Sequence, residues 1–169
     1  MKRLFTVGYS TMSVKDLLET LKNNNVNLLV DIRTIPKSRS RSEFNKGRIE
    51  KVLSKYGIRY LHMKELGGLR KPQKDSKNKI WRNQSFRGFA DYMQTKEFRG
   101  AILKLERLCE KGNVCIMCAE GNPFRCHRAL VSDAMIARGF EVFEIRKKSK
   151  MKRKLTPFAK VKSGTVIYG

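Results

Sequence analysis

Short apolar runs alternate along the chain with stretches whose apolar positions recur every three or four residues. Leu4-Phe5-Thr6-Val7 predicts a first strand, closed by Gly8. Ser13 then caps a helix with Val14, Leu17, Leu18 and Leu21 at helical spacing, and Asn23-Asn24-Asn25 breaks it. Leu28-Leu29-Val30 with Ile32 predicts the second strand. Asn45 to Lys55 fits a second helix, with Ile49, Val52 and Leu53 on one face and Gly57 as its stop. Ile58 to Leu61 reads as a third strand, and a polar, basic loop follows from Lys64 to about Asn83. Phe86 to Gln94 reads as a helix, and Thr95 caps another that runs to Glu110. Val114 to Met117 is the fourth strand, Phe124 to Arg138 a helix ended by Gly139, and Glu141 to Ile145 the fifth strand.

Strands that are apolar on both faces and alternate with helices predict a mostly parallel sheet. The expected fold is a three-layer α/β sandwich, with a five-stranded sheet covered by helices on both faces. The 169 residues suffice for one such domain and are short for two. This domain is assigned to residues 1–145. From Arg146 onward there are nine Lys or Arg and no Asp or Glu, so residues 146–169 read as a basic C-terminal appendage, partly ordered. Within it Thr165-Val166-Ile167-Tyr168 has strand propensity, which leaves docking on a sheet edge open to it.

Charge changes the picture next. Lys plus Arg number 38 against 15 Asp plus Glu, a net +23. Such an excess attracts polyanions, nucleic acid first and acidic membrane surfaces second, although lysine enrichment also accompanies adaptation to heat. No apolar run serves as a signal peptide, and none approaches the roughly 20 residues of a membrane span. The expectation is a soluble, cytoplasmic protein with a nucleic-acid or nucleotide partner and no membrane partner. Four cysteines do not make a disulfide framework in a chain of this size.

In an open parallel sheet, ligands bind beyond the carboxyl ends of the strands. Tyr9 and Ser10 follow the first strand, Asp31 and Arg33 end the second, and His62 and Glu65 follow the third. The fourth delivers Cys118 and Glu120, then Arg125, Cys126, His127 and Arg128. Polar groups from four strands thus collect at one edge. Asp31 and Glu120 are acid–base candidates, or acids that brace a loop against an arginine. Cys118 is a nucleophile candidate beside a helix start and arginines, or a small apolar packing residue. Cysteine phosphatases and sulfur-transfer enzymes hold five residues between Cys and Arg, whereas Cys118 and Arg125 have six between them. Cys118, Cys126 and His127 lack the short clip of zinc sites, and adjacent residues point to different faces of a helix, so no metal is expected; no cofactor is implied. Arg125, His127 and Arg128, at or just before a helix start, suit an anion, or else brace the helix on the sheet with His127 donating to a backbone carbonyl. The basic loops at 36–48 and 64–87 carry Phe44, Trp81 and Phe86, a combination suited to phosphate contacts and base stacking.

Several separated motifs occur in a recognisable order: "TVGYST" (Thr6 to Thr11), "LVDIRTIPKSR" (Leu29 to Arg39), "FNKGRI", "YGIRYLHMKELGG" (Tyr56 to Gly68), "FRGFADYM" (Phe86 to Met93) and "MCAEGNPFRCHRALVSDAM" (Met117 to Met135). On these the chain resembles domain-of-unknown-function family 488 (DUF488) over most of its length up to Ile145. The resemblance implies a three-layer α/β fold. It implies signature positions at Tyr9, Ser10, Asp31, Arg33, Glu65, Cys118, Glu120, Cys126, His127 and Arg128, and it supplies no reaction.

The leading expectation is a protein that binds nucleic acid or a phosphate-bearing substrate at the strand ends. In it Arg33, Arg125 and Arg128 hold the anion, Asp31 or Glu120 handles a proton, Cys118 is the candidate nucleophile, and Tyr9, Ser10 and His127 position the substrate. Two alternatives stand beside it: a non-catalytic nucleic-acid-binding module, and a thiol or redox enzyme using Cys118 and Cys126.

Overall fold

The computed structural model describes residues 2–169. Five parallel strands form its centre: β1 (Arg3–Gly8), β2 (Leu28–Asp31), β3 (Arg59–His62), β4 (Val114–Cys118) and β5 (Glu141–Arg146). They lie in the order β3-β2-β4-β1-β5, and a sixth strand, β6 (Ser149–Lys152), pairs antiparallel to β5 at the edge. The α/β sandwich with a mostly parallel sheet is as the hydrophobic pattern predicts, with one strand more. Its polar, exposed sequence Ser-Lys-Met-Lys hides that strand from any reading based on apolar runs.

Five helices cover the sheet: α1 (Val14–Asn23), α2 (Lys46–Lys55), α3 (Gln84–Tyr92), α4 (Lys96–Lys111) and α5 (Arg128–Ala137). Ser13 and Asp16 form a reciprocal capping box that satisfies two orphan amides at the start of α1. Leu17, Leu21, Ile49 and Leu53 of α1 and α2 pack on one sheet face with Phe5, Val7 and Leu29. Phe89, Ile102, Leu105 and Leu130 of α3 to α5 pack on the other with Leu4, Val30 and Ile116. Alternate residues of each strand therefore feed opposite layers, which explains strands that are apolar throughout.

The α5 helix begins at Arg128, four residues later than the periodicity predicts, so Phe124 to His127 are loop. Asn122 and Pro123 account for this. The Asn122 side chain accepts the Phe124 amide in a local turn (2.9 Å) that competes with helix.

Beyond β6, strands β7 (Ala159–Lys162) and β8 (Thr165–Tyr168) pair with each other as a hairpin, so Thr165–Tyr168 does not join the edge of the main sheet. The hairpin is held instead by the buried carboxylate of Asp133 on α5. That group accepts the Tyr168 hydroxyl (2.7 Å) and the Thr156 hydroxyl and amide (2.6 and 2.9 Å). Trp81 packs edge-on against Phe86, Phe158 and Tyr168, at centroid distances of 5.0, 4.8 and 5.3 Å. Among the described residues no helix is long and apolar enough to cross a membrane.

Candidate functional site

The strand order sets where a site can form. β1 and β4 are neighbours, but α1 carries the chain from β1 toward β2 on one face, while α5 carries it from β4 toward β5 on the other. Loops that leave adjacent strands for opposite faces open a crevice between them. The strand ends are in register here, with Gly8 opposite Cys118 and Asp31 opposite both Met117 and His62. Gly8 permits the closest approach: a β-carbon there would sit 1.8 Å from the Glu120 carbonyl oxygen. Any larger residue would push the β4 loop away.

Above these ends lies a pocket of about 350 Å³, whose lining includes Tyr9, Arg33, Lys37, Cys118, Cys126 and His127. The loop after β3 closes against it through Gly68, where an added β-carbon would be 3.2 Å from His127 Nδ1. Leu69, beside it, has a positive φ of 60° and is 78% exposed. With Ile35, 61% exposed, it forms an apolar lip on the pocket.

Cys118 and Cys126 meet on the floor. Their sulfurs are 2.8 Å apart, and Arg128 Nε donates to Cys118 Sγ at 3.1 Å. Burial opposes a charged Cys118. The hydrogen bond from Cys126 and the guanidinium of Arg128 outweigh it, and the thiol is brought down to about 7. Cys126, bonded to that neighbour and itself buried, is pushed up. His127 Nδ1 lies 3.5 Å from Cys126 Sγ, and Nε2 lies 3.1 Å from the Ile32 carbonyl. The Leu66 backbone also hydrogen-bonds the ring, so His127 ties the start of α5 to the loops after β2 and β3. Burial, with repulsion from Arg128 and Arg70, brings His127 down to about 4, so it is neutral at neutral pH. The expectation that Cys126 and His127 face apart fails because they precede α5 rather than lie on it.

Arg128 is only 1% exposed. Its remaining donors go to Glu144 on β5 (Nη1 to Oε1, 2.6 Å), to the Thr6 hydroxyl (2.7 Å) and to the Glu120 carbonyl (2.8 Å). It faces the thiol from beneath rather than opening onto the pocket. Asp31 and Arg33 form a second buried network. Arg33 Nε and Nη2 bind the Asp31 carboxylate at 2.9 and 2.6 Å, and Nη1 donates to the Tyr9 hydroxyl at 3.0 Å. The Tyr60 hydroxyl donates to Asp31 at 2.5 Å. Tyr9 stacks on Phe44 with ring centroids 4.1 Å apart.

The sequence-derived residues therefore divide. Tyr9, Arg33, Cys118, Glu120, Cys126 and His127 line the pocket. Asp31 lies beneath it, wholly buried. Glu65 is exposed on a short turn and touches α3 through its backbone carbonyl, which accepts the Tyr92 hydroxyl (2.6 Å). Ser10 faces a neighbouring cavity of about 500 Å³ and accepts the Gly121 amide. Arg125 is exposed. Phe44 is wholly buried, and Trp81 and Phe86 are half-buried and pack edge-on against each other, which leaves only part of these two rings open to a ligand. Tyr60 and Glu144 escaped notice. Glu144 shares its strand face with Val142, and a carboxylate at such an inward position is the sign of a buried pair. Among the described residues no cluster of three or more His, Cys, Asp or Glu is placed to hold a metal ion.

Fold and site together define a doubly wound parallel α/β protein with a paired-thiol pocket at its carboxyl strand ends. The family model described as "Domain of unknown function DUF488" matches residues 13–135, and the chain belongs to that family. No curated protein and no solved structure matches it.

Proposed function

We propose that the chain is a thiol-dependent enzyme. Its reacting group is the Cys118 thiolate, and the strand-end pocket takes an anionic substrate, phosphate-bearing molecules and nucleic acid foremost. The observation that carries this reading is the setting of Cys118. It is buried at a pocket floor, 2.8 Å from a second thiol and 3.1 Å from an arginine Nε. A cysteine that only packs needs neither partner, and Cys115, buried within β4, shows the contrast: burial drives its thiol well up. Lys37 and Arg39 are exposed on the loop that walls the pocket and supply positive charge at its mouth. In this reading Asp31 braces Arg33, Arg128 holds the thiolate, and Tyr9 and Arg33 shape the wall.

Alkylation by iodoacetamide tests it. The pH profile of Cys118 labelling, followed by peptide mass spectrometry, should have its midpoint at about 7, against about 8.5 for an ordinary cysteine. A midpoint at or above the ordinary value would remove the nucleophile.

The net charge of +23 favours a second reading, a nucleic-acid-binding module without catalysis. It predicts oligonucleotide affinity that falls linearly with salt on logarithmic axes and survives Cys118→Ser unchanged. Replacing Lys37 and Arg39 by Gln should lower that slope by about 1–2. Affinity too weak to measure at low salt would leave only the thiol reading.

A further inference from the structure

Cys126 has no role in the proposal above beyond its hydrogen bond, and the site gives it one. Resting on the reading that Cys118 reacts, we propose that this pocket performs dithiol–disulfide exchange. Cys118 is the attacking sulfur, Cys126 the resolving sulfur, and the substrate an anionic disulfide. Three observations carry this. The two sulfurs are 2.8 Å apart, so closing a bond of about 2.05 Å requires well under an ångström of further approach. They sit at the ends of one β4-to-α5 loop, both lining the same pocket, so a substrate attached to Cys118 remains in the cavity while Cys126 attacks. Arg128 Nε donates to Cys118 Sγ at 3.1 Å, which makes Cys118 rather than Cys126 the sulfur held as thiolate.

The hydrogen bonds also give an order of events. As a thiolate, Cys118 Sγ accepts from Arg128 Nε and from the Cys126 thiol. It attacks one sulfur of the substrate disulfide. A Cys118–substrate bond forms, the substrate S–S bond breaks, and the far half leaves as a thiolate. Once bonded, Cys118 sulfur is a poor acceptor, and the departing substrate thiolate takes the Cys126 proton. The Cys126 thiolate then attacks Cys118 Sγ and expels the second substrate thiolate. The substrate has gained two electrons, the protein now holds a Cys118–Cys126 disulfide, and an external dithiol restores it. Negative charge on the substrate is selected by Lys37 and the neighbouring Arg39, since the charge of Arg33 is matched by Asp31.

Reduced protein incubated with oxidised glutathione, which is anionic at neutral pH, should lose the mass of two hydrogens. Peptide mapping should then place the new disulfide at Cys118 and Cys126. Cys126→Ser should stop at a glutathionyl adduct on Cys118, and Cys118→Ser should form neither product. At low salt, oxidised glutathione should react about tenfold faster than cystamine, a cationic disulfide. Equal rates would overturn the substrate class. If Cys118 alkylates at neutral pH but no intramolecular disulfide forms at any glutathione ratio, the exchange chemistry falls and the thiol reading survives. If Cys118 fails to alkylate, both fall together.

Discussion

Arg128→Ala is expected to lose about 3–5 kcal/mol of folding stability. The guanidinium and its partner Glu144 are 1% and 3% exposed, so removing the arginine strands a carboxylate in the interior. Burial already raises the Glu144 carboxyl, against the pull of Arg128, and without that pull it rises further. A carboxyl whose folded value lies above its unfolded value binds its proton more tightly when folded. The protein is then stabilised at low pH and loses that contribution as pH rises through the folded value. The deficit of the variant, measured by urea midpoints, should therefore be larger in mildly alkaline than in mildly acid buffer. Arg128→Met combined with Glu144→Leu should recover most of it, because an apolar pair of similar volume is nearly neutral in place of a buried ion pair. Cys118 alkylation should nevertheless remain displaced to higher pH in the rescued protein, which keeps the Cys126 bond but has lost the Nε donor. A single variant as stable as the parent would mean that the Arg128–Glu144 pair is not buried as described.

Asp31→Ala is expected to cost a similar amount, about 3–5 kcal/mol. Arg33, 7% exposed, would keep only Tyr9 and the Phe44 carbonyl as partners, and the Tyr60 hydroxyl would lose its acceptor. Asp31→Asn keeps the shape and part of the hydrogen bonding, so its loss should be smaller. The functional readout separates bracing from acid–base chemistry. A brace leaves the pH midpoint of Cys118 alkylation where it is, since no hydrogen bond links Asp31 to either thiol. A midpoint displaced by Asp31→Asn in a well-folded variant would return Asp31 to the reacting groups.

The elements that the chain announces most clearly are those with local causes. The capping box at Ser13, the apolar run at β4 and the left-handed Gly139 after α5 each act within a few residues, and each appears where the pattern puts it. What the pattern conceals depends on partners far away in the chain. β6 owes its place to pairing with β5, since its own residues are exposed and polar. Trp81 in a basic loop looks like a ring offered to a ligand, and only the hairpin some 80 residues later turns it into packing. The strand-end rule located the pocket, but not the division within it. Whether an arginine faces solvent or a buried carboxylate depends on Glu144 for Arg128 and on Asp31 and Tyr60 for Arg33. The cysteine pairing is a redox alternative in the sequence, and the late start of α5 is what lets Cys126 and His127 share a direction.

The parts of the pocket hang from different strands. Both thiols, His127 and the arginine beneath them arise within one short segment, 118–128, whereas the apolar lip and the basic wall come from the turns after β2 and β3. Chemistry and selectivity are therefore modular in this architecture. Transplanting residues 34–39 and 68–69 from another member of the family should retarget the protein to a different substrate while leaving the same sulfur in charge.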